Sequence, residues 1–254
     1  MKLSNSSVQD PAQGLKERKV ALITGSGRRL GRQSAFALAK DGWNIVVNYA
    51  HTKSEETVKE IAKLGVDVIS IKADITDSNQ ADKMFKKAVE HFGRLDLLVN
   101  NAAIFPSAKN FTEISDELWN QVISTNLTGQ FYCARAAARV MEQQGGKIIN
   151  FASLGGFQVW PEHIAYNVAK AGVVMLTKAL AKALAPKITV NAIAPGTIII
   201  PGEESEDIKH IEENKIPLRR YGTAGDITSA LLFLAHADYL TGQIISVDGG
   251  RAIL

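Results

Sequence analysis

The strongest constraint on this chain is a rhythm. From Lys19 onward, short apolar runs rich in β-branched residues alternate with longer segments of helical period, and that alternation is satisfied by a parallel sheet covered by helices on both faces. The runs are 19–24 (KVALIT), 44–49 (NIVVNY), 67–73 (DVISIKA), 95–99 (LDLLV), 146–152 (GKIINFA), 188–194 (ITVNAIA) and 243–247 (QIISV). Between them the spacing predicts helices near 30–40, 54–64, 78–92, 115–142, 164–185 and 224–236. Leu64-Gly65 reads as a helix stop, Ser78 as an N-cap, and Thr223 with Asp226 as a capping box. No repeat or linker divides the pattern, so a single doubly wound α/β domain over 19–254 is expected, with 1–18 as a polar tail. Residues 197–222 are longer and more polar than an ordinary connection, which suits a lid.

Composition closes off several functions. The excess of 29 basic over 26 acidic residues, a formal +3, is too small for a nucleic-acid or anionic-membrane partner. Cys133 is the single cysteine, which permits no intrachain disulfide, offers no metal cluster and suits a reducing, cytoplasmic setting. The first 16 residues lack the apolar core of a secretory signal, and no later run approaches the roughly 18 apolar residues of a membrane span.

After the first apolar run comes TGSGRRLG, residues 24–31. Gly25 and Gly31 take the outer positions of a strand-turn-helix phosphate loop, where a helix N-terminus supplies amide donors and positive dipole. The second strand ends Asn48-Tyr49-Ala50-His51-Thr52-Lys53, with no carboxylate before Glu55. A dinucleotide fold selective for NAD places an acid there for the ribose 2′-hydroxyl; a 2′-phosphate is instead met by a guanidinium. Arg28 is the expected phosphate ligand, with Asn48, Thr52 or Lys53 assisting.

Further on stand NNAA (100–103), STNLTG (124–129), Ser153 in FASLGG, Tyr166-Asn167-Val168-Ala169-Lys170, APG (194–196) and YLTGQIISVDGG (239–250). In order and spacing these resemble the short-chain dehydrogenase/reductase family from about Lys19 to Gly250. The resemblance implies a Rossmann-type sheet of seven parallel strands, a nicotinamide dinucleotide cofactor, here NADPH, and a homotetramer. It assigns catalysis to Asn126, Ser153, Tyr166 and Lys170, with Asn126 holding a water. It assigns cofactor binding to Thr24, Gly25, Arg28, Arg29, Leu30, Gly31, Asn48, Tyr49, Thr52, Asp74, Ile75, Asn101, Ala102, Ala103, Tyr166, Lys170, Pro195, Gly196 and Ile198. Three positions depart from the family: Arg29 at the middle glycine of the loop, Ala103 at the last glycine of NNAG, and Ile200 where a threonine is usual. RRLG resembles the KRLG loop of pteridine reductases.

Carbonyl reduction needs a proton for the oxygen that becomes negative, and free tyrosine, with a pKa near 10, holds its proton too tightly. Lys170 is one helical turn from Tyr166, where its ammonium is expected to lower the phenol's pKa, and Ser153 at a strand end can hydrogen-bond the same oxygen. The expected activity is NADPH-dependent reduction of a ketone or 3-oxoacyl substrate, with a pteridine or other ring as the alternative and a non-catalytic redox sensor as the rival class. Sensors of this family usually lose the tyrosine or the lysine, and both are present. Phe105, Trp160 and Tyr221 are candidate ring walls. The helix ending Met141-Glu142-Gln143-Gln144 lacks the basic patch that carrier-dependent reductases present, although Arg135 and Arg139 lie one turn apart.

Overall fold

The first strand, β1 (Val20–Ile23), is buried along its whole length, and its side chains alternate between two cores: Val20 and Leu22 enter one, Ala21 and Ile23 the other. A strand with two dry faces belongs in the middle of a helix-covered sheet. The computed structural model describes residues 18–51, 54–108, 110–203 and 213–253, and in it β1 has that position. The elements that follow are α1 (Arg29–Lys40), β2 (Asn44–Tyr49), α2 (Glu55–Ala62), β3 (Val68–Lys72), α3 (Ser78–Phe92) and β4 (Leu97–Asn100). Then come α4 (Asp116–Ile123), α5 (Gly129–Val140), β5 (Gly146–Phe151), α6 (Ile164–Leu184), β6 (Ile188–Pro195), α7 (Ala224–His236) and β7 (Ile244–Val247).

The seven strands are parallel, in the order β3-β2-β1-β4-β5-β6-β7. One core packs α3, α5 and α6 against the sheet through Met84, Phe85, Ala134 and Ala181. The other packs α1, α2 and α7 through Leu38, Ile61, Leu231 and Leu234. Chain order reverses between β1 and β4, with Leu22 paired to Val46 on one side and Leu98 on the other. The crevice above the carboxyl ends of those strands is where such a fold binds ligands.

The structure corrects two local expectations. The helix expected over 115–142 forms from Asp116 to Val140, but not as a uniform α-helix: Ser124–Thr128 is a π-helical turn between α4 and α5. The widened turn turns Asn126 inward, where its Oδ1 accepts from the Ile104 amide and its Nδ2 donates to the Ile104 carbonyl, both at 2.8 Å. The N-cap of α3 is Asp77 rather than Ser78, its carboxylate accepting from the Asn79 and Gln80 amides at 2.8 and 3.2 Å. An ionised oxygen is the stronger acceptor at a helix N-terminus. Thr223 and Asp226 form the expected capping box, and Gly65 takes the left-handed conformation of a stop, at φ +75°. A short parallel pairing of Ile198–Ile199 with Gly222–Thr223 pins both ends of the 197–222 excursion. Thr52, Lys53 and much of the expected tail lie outside the described residues, as does part of that excursion. The segment Pro161–Leu184 is long and apolar enough by composition to cross a membrane, with a mean hydropathy of 1.2; in the fold α6 packs along β6, with Ala169, Lys170, Val173 and Thr177 buried.

The ends of β1 and β4 are joined by one side chain. Thr24 Oγ1, buried just beyond β1, accepts from the amides of Asn101 and Ala102 at 3.0 and 3.1 Å. Thr24→Val keeps the volume and strands two amides, so it is expected to destabilise the fold by about 2 kcal/mol. Urea unfolding checks this, and an unchanged midpoint would contradict it.

Candidate active site

The loop from β1 into α1 is tight because two glycines allow it. Gly25 has φ +62°, and a Cβ on Gly31 would stand 2.5 Å from Asn101 Nδ2 and 2.9 Å from Ser26 Cα. Asn48 braces the loop from the neighbouring strand: its Oδ1 accepts from the Gly25 amide at 3.1 Å, while its Nδ2 donates to the Ile71 and Ala73 carbonyls at 3.3 and 3.0 Å. Asn101 Nδ2 donates to the Thr24 and Gly25 carbonyls at 2.8 and 3.2 Å. The side chains of Thr24, Asn48 and Asn101 are thus engaged with backbone and hold the loop's shape. Arg29 keeps the left-handed backbone of the glycine it replaces, φ +50°, and its amide donates to Glu203 Oε2 at 3.0 Å. Arg28 precedes α1 in extended backbone, exposed.

A cleft of about 1110 Å³ runs from this loop across the carboxyl ends of the strands. Arg28, Arg29, Leu30, Asn48, Tyr49, Asp74 and Ile75 line it at the loop end. Asn101, Ala102, Ala103, Pro195, Gly196 and Ile198 follow, and Ser153, Tyr166 and Lys170 lie beyond them. Thr24 and Asn126 are buried supports outside the lining. The glycine cradle, the N-terminus of α1 and the length of the cleft fit a dinucleotide, which on binding supplies a hydride. The loop end offers guanidinium groups, and Asp74 Oδ1 is engaged by the Thr76 amide and hydroxyl at 2.9 and 2.8 Å.

Ser153 follows β5 directly and Tyr166 lies in the first turn of α6, so strand end and helix start meet. Lys170, one turn further, is buried and donates from Nζ to the Phe151 carbonyl at 2.6 Å, with Nζ 5.7 Å from the Tyr166 ring centre. Burial pulls this lysine from its usual 10.5 down to about 7. The expected lowering of the phenol is not what the structure shows: burial pushes Tyr166 above its ordinary value, and the hydrogen bond with Ser153 only partly opposes it. The reason is local, since Lys170 is aimed at a carbonyl and the burial that raises the phenol also lowers the pKa of the amine. The phenol therefore stays protonated at neutral pH, as a proton donor must be.

The wall beyond Tyr166 is aromatic. Phe105 and His163 stack at 4.0 Å and 15°, Phe105 meets Tyr166 edge-on at 4.6 Å, and Trp160 lies nearly parallel to Tyr166 at 6.3 Å. Phe105 and Trp160 were legible candidates; Tyr221 does not line the cleft. His163 was missed: it is the N-cap of α6, just outside the helix that carries Tyr166, and no periodic signal marks it. Arg251 was missed too, because nothing local in the sequence signals that the turn through Gly249 and Gly250, at φ +66° and +90°, brings it back to the cleft.

Comparison with known proteins agrees with this geometry. The family model described as enoyl-(acyl carrier protein) reductase matches residues 25–252. A 3-oxoacyl-[acyl-carrier-protein] reductase FabG of Staphylococcus aureus is 41% identical over 244 residues, covering 93% of this chain and 99% of that protein. Among solved structures, an acetoin dehydrogenase, YohF, of Salmonella typhimurium matches with a TM-score of 0.83 at 34% identity, covering 93% of this chain and 96% of that one. An NADPH-dependent 3-quinuclidinone reductase of Rhodotorula rubra matches with a TM-score of 0.87 at 29% identity, covering 100% and 98%. Fold and site together define a nicotinamide-dependent oxidoreductase on a Rossmann-type sheet. The chain belongs to the short-chain dehydrogenase/reductase family.

Two outcomes follow from the Tyr166–Lys170 geometry. Tyr166→Phe deletes only the acid, so cofactor affinity by fluorescence titration should hold while kcat falls about 100-fold or more; undiminished turnover would leave the mechanism without its donor. Lys170 binds fewer protons folded than unfolded between pH 7 and 10.5, so its contribution to stability improves as pH rises through that window. The pH slope of urea midpoints over the window should therefore flatten in Lys170→Met, and equal slopes would refute the lowered amine.

Proposed function

We propose that this protein is a cytoplasmic, NADPH-dependent reductase of small ketones that works as a homotetramer. The observation that carries the reading is the division of one cleft: Tyr166 beside Ser153 and Lys170 at one end, and at the other a β2 end without a carboxylate beside Arg28. In the reaction, Ser153 holds the carbonyl oxygen and Tyr166 gives it a proton, while Lys170 keeps the donor's helix registered to β5 and Asn126 braces the backbone at Ile104.

Arg28 suits the 2′-phosphate because its side chain lies free at the cleft mouth, whereas the polar side chain of Asn48 is engaged below it. The names of the relatives support ketone reduction, one of them being NADPH-dependent. A small substrate rather than a protein-borne one is favoured at the end of α5, where Arg139 is paired to Asp82 at 3.1 Å and Arg135 stacks over Phe131 at 5.2 Å. Exposed Val168 and Met175 on α6 and Phe131 on α5 support self-association. The excursion over 197–222, whose two ends are joined by a short strand pairing, is of a length that suits a lid.

The test is steady-state oxidation of NADPH and NADH against a panel of ketones. NADPH should be preferred, and Arg28→Ala should raise its KM roughly 10- to 100-fold with little change for NADH. Equal losses for both cofactors would remove the role given to Arg28, and absence of ketone-dependent oxidation would remove the activity.

A further inference from the structure

The aromatic wall carries one fixed charge. Arg251, in the turn after β7, places its guanidinium 5.7 Å from the centre of the Trp160 ring, and Trp160 in turn faces the Tyr166 phenol. The arginine is held from two sides: Nη1 donates to Thr197 Oγ1 at 2.8 Å, and its main-chain oxygen accepts from Gln158 Nε2 at 2.7 Å. It is half-buried and lines the same cleft as Ser153, Tyr166 and Lys170.

What Arg251 lacks, among the described residues, is a salt-bridge partner. Asp248, the acidic group that acts on it, has its two oxygens engaged by the Gly250 and Ala252 amides at 3.0 and 2.6 Å. Among the described residues no carboxylate forms a salt bridge with Arg251. The other cationic candidates at this end are committed to backbone, Lys170 to the Phe151 carbonyl and His163 Nδ1 to the Pro106 carbonyl at 3.0 Å. The acid that lines the described cleft, Asp74, stands at the opposite end. Among the described residues, Nη1 is the side-chain donor of Arg251 that is engaged, to Thr197, so the rest of its five-donor fork is open to a ligand in the cleft. Its planar fork matches a carboxylate with two parallel hydrogen bonds.

We infer that Arg251 is a substrate-recognition residue, and that the substrate is a flat, aromatic or conjugated ketone bearing a carboxylate. The ring of such a compound lies against Trp160 and Phe105, its carboxylate meets Arg251, and its ketone reaches Ser153 and Tyr166. This rests on the carbonyl-reductase reading for the chemistry, but the anion site is separable from it.

The probe pair is 4-acetylbenzoate and its methyl ester, which share a ring and ketone and differ in charge. With NADPH the enzyme should favour the acid in kcat/KM by about 10-fold or more, mainly through KM. Arg251→Gln keeps a donor for Thr197 but removes the charge, and should bring the acid-to-ester ratio down toward one; Arg251→Lys should restore part of it. Calorimetric titration of 4-acetylbenzoate into the NADPH-bound enzyme should show the same loss and recovery. An enzyme that treats acid and ester alike, or an Arg251→Gln variant that lowers both in proportion, would overturn the assignment. If the acid binds through Arg251 but neither compound is reduced, the anion site stands and the ketone-reductase reading falls. If simple ketones are reduced with no preference for acid, the reverse holds.

Discussion

The bond from Lys170 Nζ to the Phe151 carbonyl is the contact on which the reacting end of this molecule depends. It joins α6 to the last residue of β5 and so sets the distance between Ser153, two residues beyond that carbonyl, and Tyr166, one helical turn before the lysine. A buried lysine is an expensive tie, and a glutamine of similar reach would be cheaper to bury. What the lysine adds is a second protonation state: pulled down to about 7, it gains or loses a proton in the range where the enzyme works.

The loop end follows a similar economy of polar groups. Thr24, Asn48 and Asn101 face backbone rather than the cleft, so the shape of the phosphate cradle is fixed by the protein before any ligand arrives. That is preorganisation, and it reduces the ordering cost of binding. Two arginines share this glycine loop. Arg29 adopts the glycine conformation, φ +50°, at a strain of about 1 kcal/mol, so the loop keeps its course and gains a cationic side chain. Arg28, one residue earlier in extended backbone, is aimed from the same loop without strain.

Much of this was legible in the residues because it is governed by short-range rules. Seven apolar runs became seven strands, and the glycine spacing at 25 and 31 carried over as a tight turn. The Ser153, Tyr166 and Lys170 spacing brought those side chains to one end of one cleft. What escaped was decided over distance or by competition between neighbours. The π-helical turn at Ser124–Thr128 exists because Asn126 finds both partners on Ile104, 22 residues away in sequence. Asp77 displaced Ser78 as a cap through the strength of a charged acceptor. The raised phenol of Tyr166 reflects the dryness of its surroundings, which no i, i+4 spacing reports. Arg251 returns to the cleft only through the three-dimensional path of the chain after β7.

The charge pattern of the cleft gives these parts a common logic. Cationic groups stand at both extremes, Arg28 and Arg29 at one end and Arg251 at the other, while the middle, around Asn101, Ala102, Ala103 and Gly196, is neutral and close-packed. An elongated assembly with negative charge at its two ends and a neutral reacting region between them is complementary to that field. Phosphates at the loop end and a carboxylate beside Trp160 would be drawn to opposite ends of the cleft, leaving the ketone between them. Keeping the anions apart also protects the chemistry: a free carboxylate beside Tyr166 would raise the phenol further and compete for its proton.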